Sequence, residues 1–185
     1  LRQIMKIKHS TSKFLAAIIT SVSILSSASA NSTTLELSKQ GNSMKAIAIK
    51  AQDAFFKDYN AADVKKYFRE DYIQHNPHVP TGLAPMLGFL PKLKEAGTTY
   101  TNHRLLQDGE FIIMHNTYKN AEAFGAKEVV TFDIWRMQNG QVAEHWDAIA
   151  PIVKETASGR SQFDGPTKVE DIDKPEANKK LIANF

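Results

Sequence analysis

FDIWRMQNGQVAEHWD, Phe132 to Asp147, is the stretch whose reading decides the fold. It is cut in the middle by Asn139-Gly140, a pair that accepts left-handed backbone and so marks a tight hairpin turn. Before the turn, Glu128 to Met137 is rich in β-branched and aromatic residues, and after it Val142 to Ile149 continues in the same manner. The same construction stands upstream: Tyr100 to Leu106, a turn at Asp108-Gly109, then Phe111 to Lys119. Two hairpins in succession predict an antiparallel sheet.

Ahead of the hairpins the apolar period is helical. Ile47, Ala51, Ala54, Phe55 and Tyr59 recur at helical spacing over Met44 to Tyr59, with Ser43 placed to cap the first turn. Asn60 caps a second short helix, Ala61 to Phe68. Asp71 to Gln74 reads as a short strand that runs into the His75-Asn76-Pro77-His78 loop. A third helix fits Leu83 to Ala96, with Leu83, Met86, Leu87, Leu90 and Leu93 facing inward and Gly97 as its stop. Pro91 lies inside it and is expected to kink it by removing a backbone donor. Helices first and antiparallel strands afterwards define an α+β domain over residues 44–153.

The flanks are of a different kind. Leu1 to Ala30 holds four basic residues and no acidic one, a mostly apolar stretch from Phe14 to Leu25, and Ala28-Ser29-Ala30 as a small-x-small cleavage signal. This is the pattern of a secretory signal peptide, so the chain is expected to be exported, periplasmic or secreted, with the membrane met only through that segment. The whole chain carries 23 basic and 20 acidic residues; without the first thirty the balance is 19 against 20. The sequence pI near 9.0 therefore belongs to the leader and makes no case for nucleic acid. Residues 31–43 read as a flexible lead-in and 154–185 as a polar C-terminal extension. With no cysteine in the chain, disulfides, thiolate metal sites and thiol nucleophiles are excluded. No Gly-rich phosphate loop, G-x-S-x-G elbow or H-E-x-x-H pair is present.

The chemistry-bearing residues that remain are His75, His78, His103, His115, His145, Asp133 and Asp147. A carboxylate among Trp146, Ala148 and Ile149 is costly to bury charged, so Asp147 must be paired, solvated in a pocket or shifted toward the pKa of a proton carrier. His145 and Asp147, two apart on a strand, share a face. Asp133 joins them or not according to the hairpin register. A two-residue turn pairs Phe132 with Asp147 and sends Asp133 to the other face, whereas a three-residue loop with a glycine bulge reverses that parity. His115 shares a face with Phe111 and Ile113 and is expected to point into the body. His75 and His78 lack a convincing third ligand, so no metal site is expected.

YIQHNPHVPTGL, QDGEFIIMH and FDIWRMQNGQVAEHWD together resemble the SnoaL-like polyketide cyclase family of the nuclear transport factor 2-like superfamily, whose bacterial members are often described as predicted aldol-condensation enzymes. The resemblance covers Met44 to Ile152. It implies a single cone-shaped domain, a curved antiparallel sheet packed on three N-terminal helices with a pocket in its mouth. It implies a lyase- or isomerase-type site free of cofactor and metal, in which Asp147 carries a proton next to a carbonyl. His75, His115 and His145 would then donate to or orient the enolate, with Tyr72, Asn76, Trp146, Asp133 and Leu90 as pocket residues. The expected partner is a small apolar or carbonyl-containing ligand, held by an enzyme or by a non-catalytic binding module, and a homodimer through the outer sheet surface is compatible with the family.

Overall fold

In a computed structural model of the chain, residues 43–168, 170 and 173–185 are described. The leader and most of the lead-in, residues 1–42, lie outside them. No helix among the described residues is long and apolar enough to cross a membrane.

Three helices open the domain: α1 Met44–Phe56, α2 Ala61–Tyr67 and, after strand β1 Phe68–Gln74, α3 Leu83–Ala96. The Ser43 hydroxyl accepts from the Ala46 amide at 3.3 Å, and the Asn60 side chain accepts from Ala62 and Asp63, so both predicted caps are made. Helix α1 stops at Phe56, short of Tyr59, because the chain must reverse before Asn60 can start the next helix. Tyr59 takes up that reversal with φ 49°, and its hydroxyl donates to the Thr98 carbonyl at 2.8 Å. Helix α3 keeps its expected bounds and ends on Gly97 in the left-handed region. It runs through Pro91, which lies on its exposed side, away from Leu90 and Leu93 in the core.

Four strands follow as two hairpins: β2 Thr99–Asp108 with β3 Phe111–Lys119, and β4 Glu128–Gln138 with β5 Gln141–Pro151. The first turn is Gly109-Glu110, one residue later than expected, because the strands pair as far as Asp108 opposite Phe111. The order across the sheet is β1-β5-β4-β3-β2. One seam departs from the antiparallel expectation: β1 runs parallel to β5, with Gln74 opposite His145. The curved five-stranded sheet is therefore mixed. β1 is also longer than its predicted Asp71–Gln74, starting where α2 ends.

The second hairpin resolves the register in a way neither alternative contained. Its turn has two residues, Asn139 at φ 52° and Gly140 at φ 76°, both left-handed as such a turn requires. A bulge follows within β5: Arg136 faces Glu144 while Met137 faces Val142, leaving Ala143 as the extra residue. Val142 and Ala143 are both buried, which breaks the alternation. The result sets Asp133 opposite Asp147 and Trp135 opposite His145.

On the inner face Phe68, Tyr72, Ile112, Met114, Trp135 and Met137 pack against α1, through Phe55, and against α3. The outer face carries the other set: His115 opposite Phe132, Ile134 opposite Trp146, Arg136 opposite Glu144. After β5 a strap folds back across the β2–β3 half of that face. There the Arg104 guanidinium donates to the carbonyls of Phe163, Asp164 and Pro166, and His103 stacks on Phe163 at 4.9 Å. Helix α4, Pro175–Ala183, buries none of its residues.

Candidate active site

The inner face holds a cavity of about 90 Å³, bounded by Phe55, Phe56, Phe68, Phe89, Leu93 and Phe124. Its polar end is built by three strands. β4 brings Asp133 and Trp135, β5 brings His145 and Asp147, and β1 with the loop after it brings Tyr72, Gln74 and Asn76. Direct cross-strand partners project to one face, which is why the register above gathers them.

The two carboxylates that face each other are treated differently. Asp133 is 6% exposed, and one of its oxygens accepts from Thr131 Oγ1 at 2.6 Å and Asn116 Nδ2 at 2.8 Å. The other lies 3.2 Å from His145 Nε2. Burial alone pushes its carboxyl up, but the hydrogen bonds from His145, Thr131 and Asn116 outweigh it and hold the group below the usual carboxylate range. Asp133 is a fixed negative charge. Asp147 is half-buried, and both its oxygens receive the Asn76 amide nitrogen, at 3.0 and 2.8 Å.

The Gln74 amide orders the imidazole between them. Its Oε1 accepts from the Asn76 backbone N–H at 3.0 Å, so its Nε2 is the donor, to Tyr72 Oη at 3.1 Å and to His145 Nδ1 at 3.2 Å. The His145 proton then sits on Nε2, toward Asp133. Tyr72 is 1% exposed, and burial first, then the charges of Asp147 and Asp133, push its phenol far above its ordinary value. Tyr72 is thus a hydroxyl that keeps its proton.

Of the residues singled out from sequence, the structure brings Asp147, His145, Asp133, Tyr72 and Asn76 together. It separates four others. His115 is buried on the outer face, stacked on Phe132 at 4.2 Å, with Arg104 Nη1 3.1 Å from its Nδ1; the apolar run that suggested an inward direction lies on that outer face, and the strap over His103 and Arg104 covers only its His115 end. Burial, then the Arg104 charge, lower its pKa. His75 also stands outside, its ring parallel to that of Trp146 at 4.6 Å and its Nε2 2.7 Å from Glu144, which Arg136 holds from the other side at 2.8 Å. Trp146 is one residue out of phase with His145 and Asp147, so it faces outward and forms no wall of the cavity. Leu90 lies in the core behind the cavity, and its neighbours Met86, Phe89 and Leu93 line it instead.

Gln74, Asn116 and Thr131 carry roles that were not foreseen. Asn116 and Thr131 had a legible signal, being polar residues at the inward phase of otherwise apolar strands. One atom each from Asp133, His145 and Asp147 lie within 4.8 Å of one another, a spacing a divalent ion could use. Each of the three side chains already meets a hydrogen-bonding partner of the protein, as described above, which suits a metal-free site better.

A curved sheet folded around helices, with an apolar cavity ending in a carboxylate pair, makes this a small single-domain α+β protein with a ligand-sized cavity. The chain belongs to the SnoaL-like domain family, whose profile matches residues 50–145. Its fold is similar to that of a proposed ketosteroid isomerase from Kribbella flavida, at 22% identity and TM-score 0.51 over 69% of this chain and 91% of that one. It is also similar to that of a proposed polyketide cyclase from Bacillus cereus, at 13% identity and TM-score 0.50 over 57% and 73% of the two chains. No curated protein sequence matches the chain significantly.

Proposed function

We propose that this cavity is an acid/base site that moves a proton on a carbon next to a carbonyl, in an exported SnoaL-like protein. The observation that carries the reading is the unequal pair: Asp133 is saturated by donors, while among the described residues Asp147 is held by the Asn76 amide alone and borders the cavity. Two carboxylates with such different surroundings take different roles. Asp147 takes the proton from the carbon, and the C–H electron pair becomes the enolate. In a condensation that carbon forms a bond to a second carbonyl carbon, whose oxygen takes the proton back from Asp147. In an isomerisation Asp147 returns the proton to another carbon. Tyr72, which keeps its proton, is a donor for developing negative charge, and the phenylalanine wall keeps water from competing. His145, held by Asp133 and Gln74, keeps its Nε2 proton and transfers none in this scheme.

The leader-like residues 1–30 support a site outside the cytoplasm. The uncovered half of the outer face, with Phe111 and Ile134 part-exposed, is where a second copy would pair. The apolar wall equally favours a second reading, a binding module that holds an apolar metabolite without chemistry.

The test is exchange of α-protons into deuterated water, followed by proton NMR over a panel of enolisable ketones and aldehydes. Wild type is expected to catalyse exchange for at least one, and Asp147→Asn to reduce it by about 10²- to 10⁴-fold with the thermal midpoint unchanged. Wild type that binds ketones and exchanges none of them would establish the binding-module reading instead.

A further inference from the structure

The polar end of the cavity is almost fully paired, and the exception is informative. Both nitrogens of His145, both oxygens of Asp133 and the amides of Gln74 and Asn76 have protein partners, as set out above. The indole of Trp135 does not. Trp135 lines the cavity and is 4% exposed, yet its Nε1 is buried with no hydrogen-bond partner among the described residues. A buried N–H left without an acceptor forfeits its hydration for nothing in return, so such a group calls for a reason.

Its direction is also fixed. The ring is held edge-on by Phe68 at 5.4 Å and by His145 at 6.1 Å, and unlike the Tyr72 hydroxyl it has no rotor with which to find a local partner. Trp135 faces His145 in the strand pairing and Asp133 faces Asp147, so Trp135 and Asp147 are diagonal neighbours on one face. Such neighbours stand about 7–8 Å apart in an antiparallel sheet, and both line the cavity.

We propose that the Trp135 indole N–H receives the oxygen of the cavity's ligand, and that the ligand is therefore a ketone, aldehyde or enol whose oxygen lies toward Trp135 and whose adjacent carbon lies toward Asp147. This rests on the cavity being the ligand site, as in the reading above, but not on Asp147 performing chemistry. A donor fixed before the ligand arrives distinguishes a C=O from a hydrocarbon of the same shape, since only the former relieves the unpaired N–H.

The experiment uses a ligand pair of one shape, acetophenone and α-methylstyrene, in which C=O is replaced by C=CH₂. Both are titrated into the full chain as wild type, Trp135→Phe and Tyr72→Phe. Wild type is expected to prefer the ketone by at least about 5-fold, and Trp135→Phe to lose about 5- to 10-fold in ketone affinity while alkene affinity stays within about 2-fold. A ketone preference lost in Tyr72→Phe but kept in Trp135→Phe, an equal loss of both ligands in Trp135→Phe, or no ketone binding by wild type up to its solubility would overturn the assignment. A readout that needs no change at this position is the indole N–H resonance in the ¹⁵N-labelled wild type. The Trp135 signal should move with ketone and hardly with alkene, while that of Trp146 on the outer face stays still; Trp146→Phe assigns the two. Failure of α-proton exchange with an intact Trp135-dependent ketone preference would remove the acid/base reading alone, and exchange without that preference would remove this one alone.

Discussion

At the scale of residues, the site depends on how many donors each acidic group receives. Asp133 takes Thr131, Asn116 and His145, and its charge is thereby part of the fold. Asp133→Asn, which puts an amide hydrogen against those donors, should lower stability at pH 7 by about 2–4 kcal/mol in urea denaturation. The folded carboxyl titrates below its unfolded counterpart, so the unfolded chain binds the proton first as the solution is acidified. The advantage of wild type over the variant should be full above the unfolded Asp value of about 4 and disappear as pH falls through the lower folded value. A difference between the two proteins that is constant from pH 7 to pH 2.5 would contradict this account. Residue types and spacing alone singled out Asp147 and His145, which the structure sets side by side at the cavity, while Tyr72 and Asn76 came with the family resemblance. Residue types could not place His75, His115 or Trp146, because each turns on which side of a two-sided sheet a strand shows, and both sides here are apolar: one by the core, the other by the strap and the Trp146 stack.

At the scale of elements, helix ends and turns were legible because they rest on local chemistry. Ser43, Asn60, Gly97 and Asn139-Gly140 do in the structure what their types demand. The bulge at Ala143 was not, since no special residue announces it, and it decides whether His145 and Asp147 join Asp133 on the cavity side. Backbone conformation at two glycines gives a paired test. Gly140 sits at φ 76°, where an added methyl would meet only Ile47 at an ordinary 3.8 Å, so Gly140→Ala is resisted by backbone and not by space. It should cost about 1–2 kcal/mol. Gly88 lies within α3 on ordinary helical backbone, and beyond its own helix backbone no atom of the described residues comes within 4 Å of where an added methyl would stand, so Gly88→Ala should add about 0.5–1 kcal/mol. Both are read as opposite shifts of the denaturant midpoint at constant slope. A gain from both would show that the turn does not hold its left-handed form.

At the scale of the whole molecule, the α+β class and the three leading helices followed from the order of periodicities, whereas the parallel seam did not. Nothing in Phe68–Gln74 states that its partner is the last strand and not a nearer one. That seam separates the described body into parts of different range. The hairpins join residues 8 and 14 positions apart, as in Arg136 with Glu144 and Asn102 with Asn116, while Gln74 meets His145 across 71. Closing a long loop costs more chain entropy than closing a short one, so the pairing of β1 with β5 should be the least protected part of the sheet. Hydrogen exchange of the β1 amides should therefore run faster than that of β3 and β4, and equal protection would refute it. Gln74 and Asn76, which order His145 and Asp147, ride on this seam. Assembly of the chain in time thus has a definite order: the meander of hairpins can form first, and the acid/base constellation is completed only at the final closure. A ligand that bridges the two sides would act as a clasp, slowing the reopening of β1 along with its own escape.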